Sequence, residues 1–296
     1  MRRCRVALVQ LALPAPGEAA WAAVEAGLEA AAASGAELAV LPELHQGPYF
    51  CQVEDPGHFE HAEPVPGPGT RRLGALARRL DLVIVGSLFE RRAPGVFHNT
   101  AVVIERDGRL AGRYRKMHVP DDPGYYEKFY FTPGDLGFRP VDCSLGRLGV
   151  LVCWDQWFPE AARLMALAGA ELLVYPTAIG WDPRDSEAER QRQFEAWRLV
   201  QRGHAVANVL PLVAVNRTGT EPDPGGQSEG IRFWGASFAC GPQGELLAEL
   251  PTDAPGVTVV EIDLERSAQV RRLWPFFRDR RIDAYAGLLS RWLDEA

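Results

Sequence analysis

The sequence predicts a single α/β domain in which two β-sheets face each other and helices cover the outside. Three observations lead there. Short apolar runs alternate with segments of helical period, the alternation occurs in two similar halves, and no linker separates the halves. At 296 residues the chain can bury one large core.

The elements follow in order. Period-two alternation through Arg3, Arg5, Ala7 and Val9 predicts a first strand, and the Ala-rich stretch Glu18 to Ala33 predicts a helix. Glu37 to Leu41 is a short apolar strand ending at Pro42 and Glu43, which completes a β-α-β unit. A helix over Arg71 to Leu80 precedes strands at Leu82 to Phe89, Asn99 to Glu105 and Leu110 to Arg115, with Asp107-Gly108 as a hairpin turn. Residues 116 to 135 are predicted as a long loop.

The second half opens with a buried strand, Leu148 to Cys153, followed by a sharp turn and a helix from Pro159 to Leu167. A strand at Glu171 to Tyr175 and a long helix at Ser186 to Asn208 come next. Strands at Leu212 to Val215, Trp234 to Ala239, Leu246 to Leu250 and Val257 to Ile262 complete the set, with 219 to 230 as a Gly-, Pro- and acid-rich loop. There is no repeat of fixed period.

Composition excludes several function classes. A hydrophobic share of 47% and a charged share of 24% are those of a globular protein. A net charge of −7 argues against nucleic-acid binding, which calls for a surplus of Lys and Arg, and tolerates a cationic substrate. No apolar run approaches the roughly 18 residues of a membrane span. The charged start and short apolar stretch of MRRCRVALVQ read as a strand rather than a secretory signal, so a cytoplasmic location is expected. Five scattered cysteines, at 4, 51, 143, 153 and 240, have the wrong arithmetic for a disulfide framework and predict free thiols.

Chemistry concentrates where apolar strands enter loops. In GRLGVLVCWDQWFPEAARL an apolar strand delivers Cys153 to a turn before a helix, where backbone N–H groups and the helix's positive end are expected to favour a thiolate. Cys153 is equally readable as a small buried hydrophobe. A thiol needs a base, and none of the six histidines carries a local signature tying it to Cys153. Glu43, ending the strand ELAVLPE, and Lys116, ending LAGRYRK, are the stronger candidates, although a solvated strand end or a basic surface stretch explains each of them separately.

Taken together, PELHQGPYF, YRKMHVPDDPGYYEKFYFTPGD and CWDQWFPEAARLMALAGAELLVYPTAIGW resemble the three catalytic motifs of the nitrilase superfamily, the carbon-nitrogen hydrolases, in the family's order of Glu, Lys and Cys. The resemblance extends to the closing RDRRIDAY. It implies an α-β-β-α sandwich of the nitrilase type, a cysteine nucleophile, no metal or cofactor, and a homo-oligomer. Carried over by position, it makes Glu43 the general base, Lys116 the cation that stabilises the tetrahedral intermediate, Cys153 the nucleophile and Glu127 a second, substrate-positioning glutamate.

Within the superfamily, KMHVPDDPGYYEKFYFTPGD and CWDQWFPEAAR are most similar to the N-carbamoylputrescine amidases. That similarity implies hydrolysis of N-carbamoylputrescine to putrescine, carbon dioxide and ammonia. Relatives acting on N-carbamoyl amino acids carry arginine shortly after the nucleophile, where this chain has Gln156 and Trp157. An ammonium-tailed substrate calls for carboxylates or aromatic faces. Asp121, Asp122, Tyr49, Trp154 and Trp181 are the candidates, against plain turn-forming and packing roles; Trp154 also offers its backbone N–H to the intermediate.

Other signals carry less. Cys51 with His58 and His61 lacks the paired spacing of a metal site, and the glycine-rich stretches near 67 and 225 lack a Walker lysine and the dinucleotide spacing. The competing readings are a family amidase with another carbamoyl or amide substrate, an inactive homologue kept for assembly, and a thiol redox protein, which the absence of a nearby resolving cysteine disfavours. The segment LWPFFRDRR suits either an assembly arm or a cover over the chain's own core.

Overall fold

The computed structural model describes residues 2–13, 15–226 and 228–293. Its first half runs β1 (Arg3–Gln10), α1 (Glu18–Ala33), β2 (Leu38–Val40), α2 (Pro68–Leu80), β3 (Val83–Ala93), β4 (Val96–Ile104), β5 (Leu110–Arg115) and a short α3 (Glu127–Tyr130). The second runs β6 (Val141–Cys143), β7 (Gly146–Val150), α4 (Pro159–Leu167), β8 (Leu172–Pro176), β9 (Gly180–Trp181), α5 (Glu187–Asn208) and β10 (Leu212–Val215). It continues through β11 (Thr218–Glu221), β12 (Ile231–Trp234), β13 (Phe238–Cys240), β14 (Leu246–Glu249), β15 (Gly256–Asp263) and α6 (Arg266–Leu273).

Two six-stranded sheets form, ordered β15-β1-β2-β3-β4-β5 and β14-β13-β10-β8-β7-β6. Each has three parallel strands, β1-β2-β3 in one and β7-β8-β10 in the other. Each adds two antiparallel strands at one side and one at the other. The halves therefore repeat a topology without repeating a sequence.

The layers follow from side-chain alternation. Val6 and Leu8 of β1 join Val40, Val85, Val150 and Val174 in the core between the sheets, while Ala7 and Val9 pack with Trp21, Val24, Leu28, Leu73 and Leu76 of α1 and α2. Each fully buried Val or Leu contributes about 1.5–3 kcal/mol. On the other side Ala162 and Met165 of α4 and Trp197 and Ala205 of α5 cover the second sheet, which makes the α-β-β-α sandwich. Ser186 caps α5, its hydroxyl accepting the Glu189 N–H at 3.2 Å, and Glu187 and Glu189 suit the first turn.

The structure departs from the sequence reading at several points. Residues 219 to 230 are not simply a loop: β11, β12 and β9 make a third, small sheet. The 116 to 135 loop contains α3, and β6 and α6 were not foreseen. The β7 ladder stops at Val150, short of the expected Cys153, and Cys153 opens a 3-10 turn, Cys153–Trp157, that leads into α4 as the expected turn before a helix. No helix among the described residues is long and apolar enough to cross a membrane.

Candidate active site

Three strand ends converge. Glu43 follows β2, Lys116 follows β5 and Cys153 follows β7. The Glu43 N–H donates to the carbonyl of Thr177, just past β8, at 3.2 Å, which ties the first sheet's loop to the second's.

Glu43, Lys116 and Glu127 are fully buried and bonded to one another. Lys116 Nζ donates to Glu43 Oε1 at 2.8 Å and to Glu127 Oε1 and Oε2 at 2.9 and 2.6 Å. Burial alone pushes the ammonium down, but Glu127 and Glu43 outweigh it and hold Lys116 well above the usual lysine value. Burial raises the Glu127 carboxyl to about 7, against the pull of Lys116. Asn99 Nδ2 donates to Glu43 Oε1 at 2.6 Å and is itself steadied by Ser87 Oγ at 2.8 Å. Glu43 Oε2, by contrast, is buried with no hydrogen-bond partner among the described residues. It is the open lone-pair site of the network.

Cys153 has φ +44°, a left-handed conformation that is rare for a residue with a Cβ and is characteristic of strained functional turns. Its Sγ lies 3.6 Å from the carbonyl oxygen of Ala178. The expected stabilisation of a thiolate is not found. Burial, and then the charge of Glu43, push the thiol well above its ordinary value, and Lys116 only partly offsets them.

Asp155 fixes this turn. It is fully buried, and its Oδ2 accepts the Val152 N–H and the Tyr114 hydroxyl, both at 2.9 Å. Its Oδ1 accepts the His118 N–H at 3.1 Å and lies 2.7 Å from His118 Nδ1. One carboxylate thus joins the chain just after Lys116 to the chain just before Cys153. Sequence reasoning passed over Asp155; the signal present was an Asp three residues after Val152, reaching back to its N–H as in a cap.

A cavity of about 1040 Å³ opens above Cys153. Trp154, Asp122 and Trp181 line it, as do Trp157, Trp234 and Tyr125. Tyr49 and Asp121 do not. Tyr49 is buried beneath the site, where its hydroxyl donates to Glu127 Oε1 at 2.6 Å, and Asp121 is exposed outside the lining. The Arg232 guanidinium lies 5.4 Å from the Trp181 ring centroid, so that face already has a cation. Gln156 is occupied too, donating to Thr177 Oγ1 at 2.5 Å and accepting the Trp197 indole N–H at 2.8 Å. Among the described residues no cluster of three His, Cys, Asp or Glu could hold a metal, and the five thiols are free.

The family model for carbon-nitrogen hydrolases matches residues 5–272. An N-carbamoylputrescine amidase of Solanum lycopersicum is 46% identical over 272 residues, covering 91% of this chain and 89% of its own. A citrullinase of Francisella tularensis is 36% identical over 293 residues, covering 99% and 100%. The crystal structure of a carbon-nitrogen hydrolase from Helicobacter pylori superposes with a TM-score of 0.96 at 50% identity, covering 98% of this chain and all of that one. The chain belongs to the carbon-nitrogen hydrolase family of the nitrilase superfamily.

Proposed function

We propose that this amidase hydrolyses N-carbamoylputrescine through a thioester on Cys153. The observation that carries the mechanism is the buried Glu43–Lys116–Glu127 network with one carboxylate oxygen left open, and a buried thiol that borders the cavity. Because burial keeps Cys153 protonated, attack requires a base that takes the proton as the S–C bond forms. Glu43 Oε2 is that base. As Sγ bonds to the ureido carbon, the carbonyl oxygen becomes an oxyanion held by the Lys116 ammonium and the Trp154 backbone N–H. Glu43 then passes the proton to the departing nitrogen. Water, deprotonated by Glu43, attacks the thioester carbon and Cys153 leaves with that proton; the carbamic acid released loses carbon dioxide to free the second amine. Glu127 keeps Lys116 charged and in place.

Charge supports this choice of substrate. Five carboxylates line the cavity, those of Glu54, Asp122, Asp182, Asp185 and Asp223, with one guanidinium, Arg184, which pairs with Asp182. That lining suits a urea with an ammonium tail, and the similarity to plant N-carbamoylputrescine amidases points the same way. Citrulline is the second reading, favoured by a citrullinase related along nearly the whole chain. Ammonia release from N-carbamoylputrescine, L-citrulline, N-carbamoyl-β-alanine and a simple ω-amide, with Cys153→Ala as control, decides between them. N-carbamoylputrescine is expected to lead by at least about tenfold in kcat/KM; an equal or greater rate on citrulline overturns the substrate assignment.

The pH profile carries a second expectation. A raised carboxyl keeps its proton to higher pH, so as pH falls through about 7 Glu127 becomes neutral and Lys116 loses a charged partner. The kcat/KM should fall about tenfold per unit below that pH. An acid limb near the usual 4.5 contradicts the role given to Glu127.

The assembly expected from the family resemblance has a surface to match. Leu273, Trp274, Ile282, Leu288, Leu289, Trp292 and Leu293 near the C-terminus are all more than half exposed, and a second copy of the chain is the proposed occupant.

A further inference from the structure

Glu43 and Glu127 share one ammonium in a fully buried site, where each carboxylate's charge opposes the other's and the arrangement depends on how the backbone places them. Arg217, two residues past β10, is placed to do this. Its side chain is fully buried and its planar fork spans one turn of the chain. Nε and Nη2 donate to the Glu43 carbonyl at 3.2 and 2.9 Å, Nη2 to the Leu44 carbonyl at 2.6 Å, and Nη1 to the Gly47 carbonyl at 2.8 Å. Leu44 itself is left-handed at φ +49°, a bend that an unconstrained leucine avoids. Nη1 also donates to Glu221 Oε1 at 2.8 Å, and Glu221 Oε2 accepts the Tyr49 N–H at 2.5 Å. The Tyr49 hydroxyl then reaches Glu127.

We propose that Arg217, acting with Glu221, is a positioning residue for the reaction. It fixes Glu43 from behind through the carbonyls of its own turn, and Glu127 through Tyr49, so that both carboxylates meet Lys116 and Glu43 Oε2 stays open toward Cys153. This rests on the reading of Glu43 as the base. Arg217, Glu221 and Tyr49 are all outside the cavity lining, so the role is exerted on the catalytic groups and not on the substrate. A lysine at 217 retains the charge but has one nitrogen where four oxygens must be met.

The test uses full-length Arg217→Lys and Glu221→Gln, the latter preserving shape in case the former folds poorly. Functional sites are counted by stoichiometric iodoacetamide labelling of Cys153, and kcat per labelled site, KM and the labelling rate are measured. Expected are a kcat per site lower by about 100-fold for Arg217→Lys and about tenfold for Glu221→Gln, KM within threefold, and a labelling rate lowered in parallel. Full kcat per site with only fewer sites or a lower Tm means a merely structural residue and overturns the proposal, as does a raised KM at unchanged kcat. If the wild-type protein releases no ammonia from any amide offered, the functional reading fails by itself. The labelling rate then decides for Arg217: an unchanged rate in both variants overturns its role.

Discussion

Lys116→Met should lose activity by about 1,000-fold or more and also lower the protein's stability. The activity loss follows from removing a charged oxyanion donor in a dry site, where one neutral donor is already worth 10²–10³. The stability loss follows from burial. Without the ammonium, Glu43 and Glu127 face each other fully buried, and breaking a buried pair by removing one partner costs about 3–5 kcal/mol. At about 2–4 °C per kcal/mol this is a Tm drop on the order of 10 °C at neutral pH. The sign with pH is fixed: as pH falls the stranded carboxylates take up protons and the deficit relative to wild type shrinks. Adding Glu127→Gln to Lys116→Met should restore much of the Tm and none of the turnover. Calorimetry and ammonia assays of the two variants check both halves, and a Lys116→Met protein with wild-type kcat would remove Lys116 from the mechanism.

Replacing Cys153 by Ser is expected to reduce turnover on the order of 10⁴-fold or more with the fold unchanged. Serine is nearly isosteric, so the packing around the turn survives. Its hydroxyl is a weaker acid and a poorer nucleophile than a thiol.

The layer plan was legible because it rests on local pattern, whereas Glu43, Lys116 and Cys153 stood out together only through the resemblance of their three segments to one family. Apolar runs that end near Pro42-Glu43, Lys116 and Cys153 announce buried strands, and β2, β5 and β7 lie there. Helix α5 was readable to within a residue because Ser186 is a cap and Glu187 and Glu189 follow it. The third sheet was not legible, since Thr218–Glu221 is too short and too polar to alternate visibly, and its antiparallel partner β12 is completed by β9, a two-residue strand far back in the chain. Arg217, Glu221 and Asp155 escaped for a different reason. A charged residue in a loop reads as solvated, and nothing local says that its partners are carbonyls and N–H groups 174 residues away, as between Arg217 and Glu43. Tyr49 shows the limit of motif reasoning: it was expected at the substrate and lies under Glu127 instead. The upward push on the Cys153 thiol was likewise invisible, because desolvation depends on the assembled core and not on the turn alone.

The central claim is a covalent intermediate on Cys153, and the most direct measurement is rapid acid quenching of wild-type and Cys153→Ser protein during turnover of N-carbamoylputrescine, followed by peptide mass spectrometry. The account predicts a wild-type Cys153 peptide heavier by the substrate less its departing amine, appearing before ammonia release reaches steady state and absent from Cys153→Ser. Steady ammonia release by the Cys153→Ser protein, or the adduct on a different residue, would contradict it.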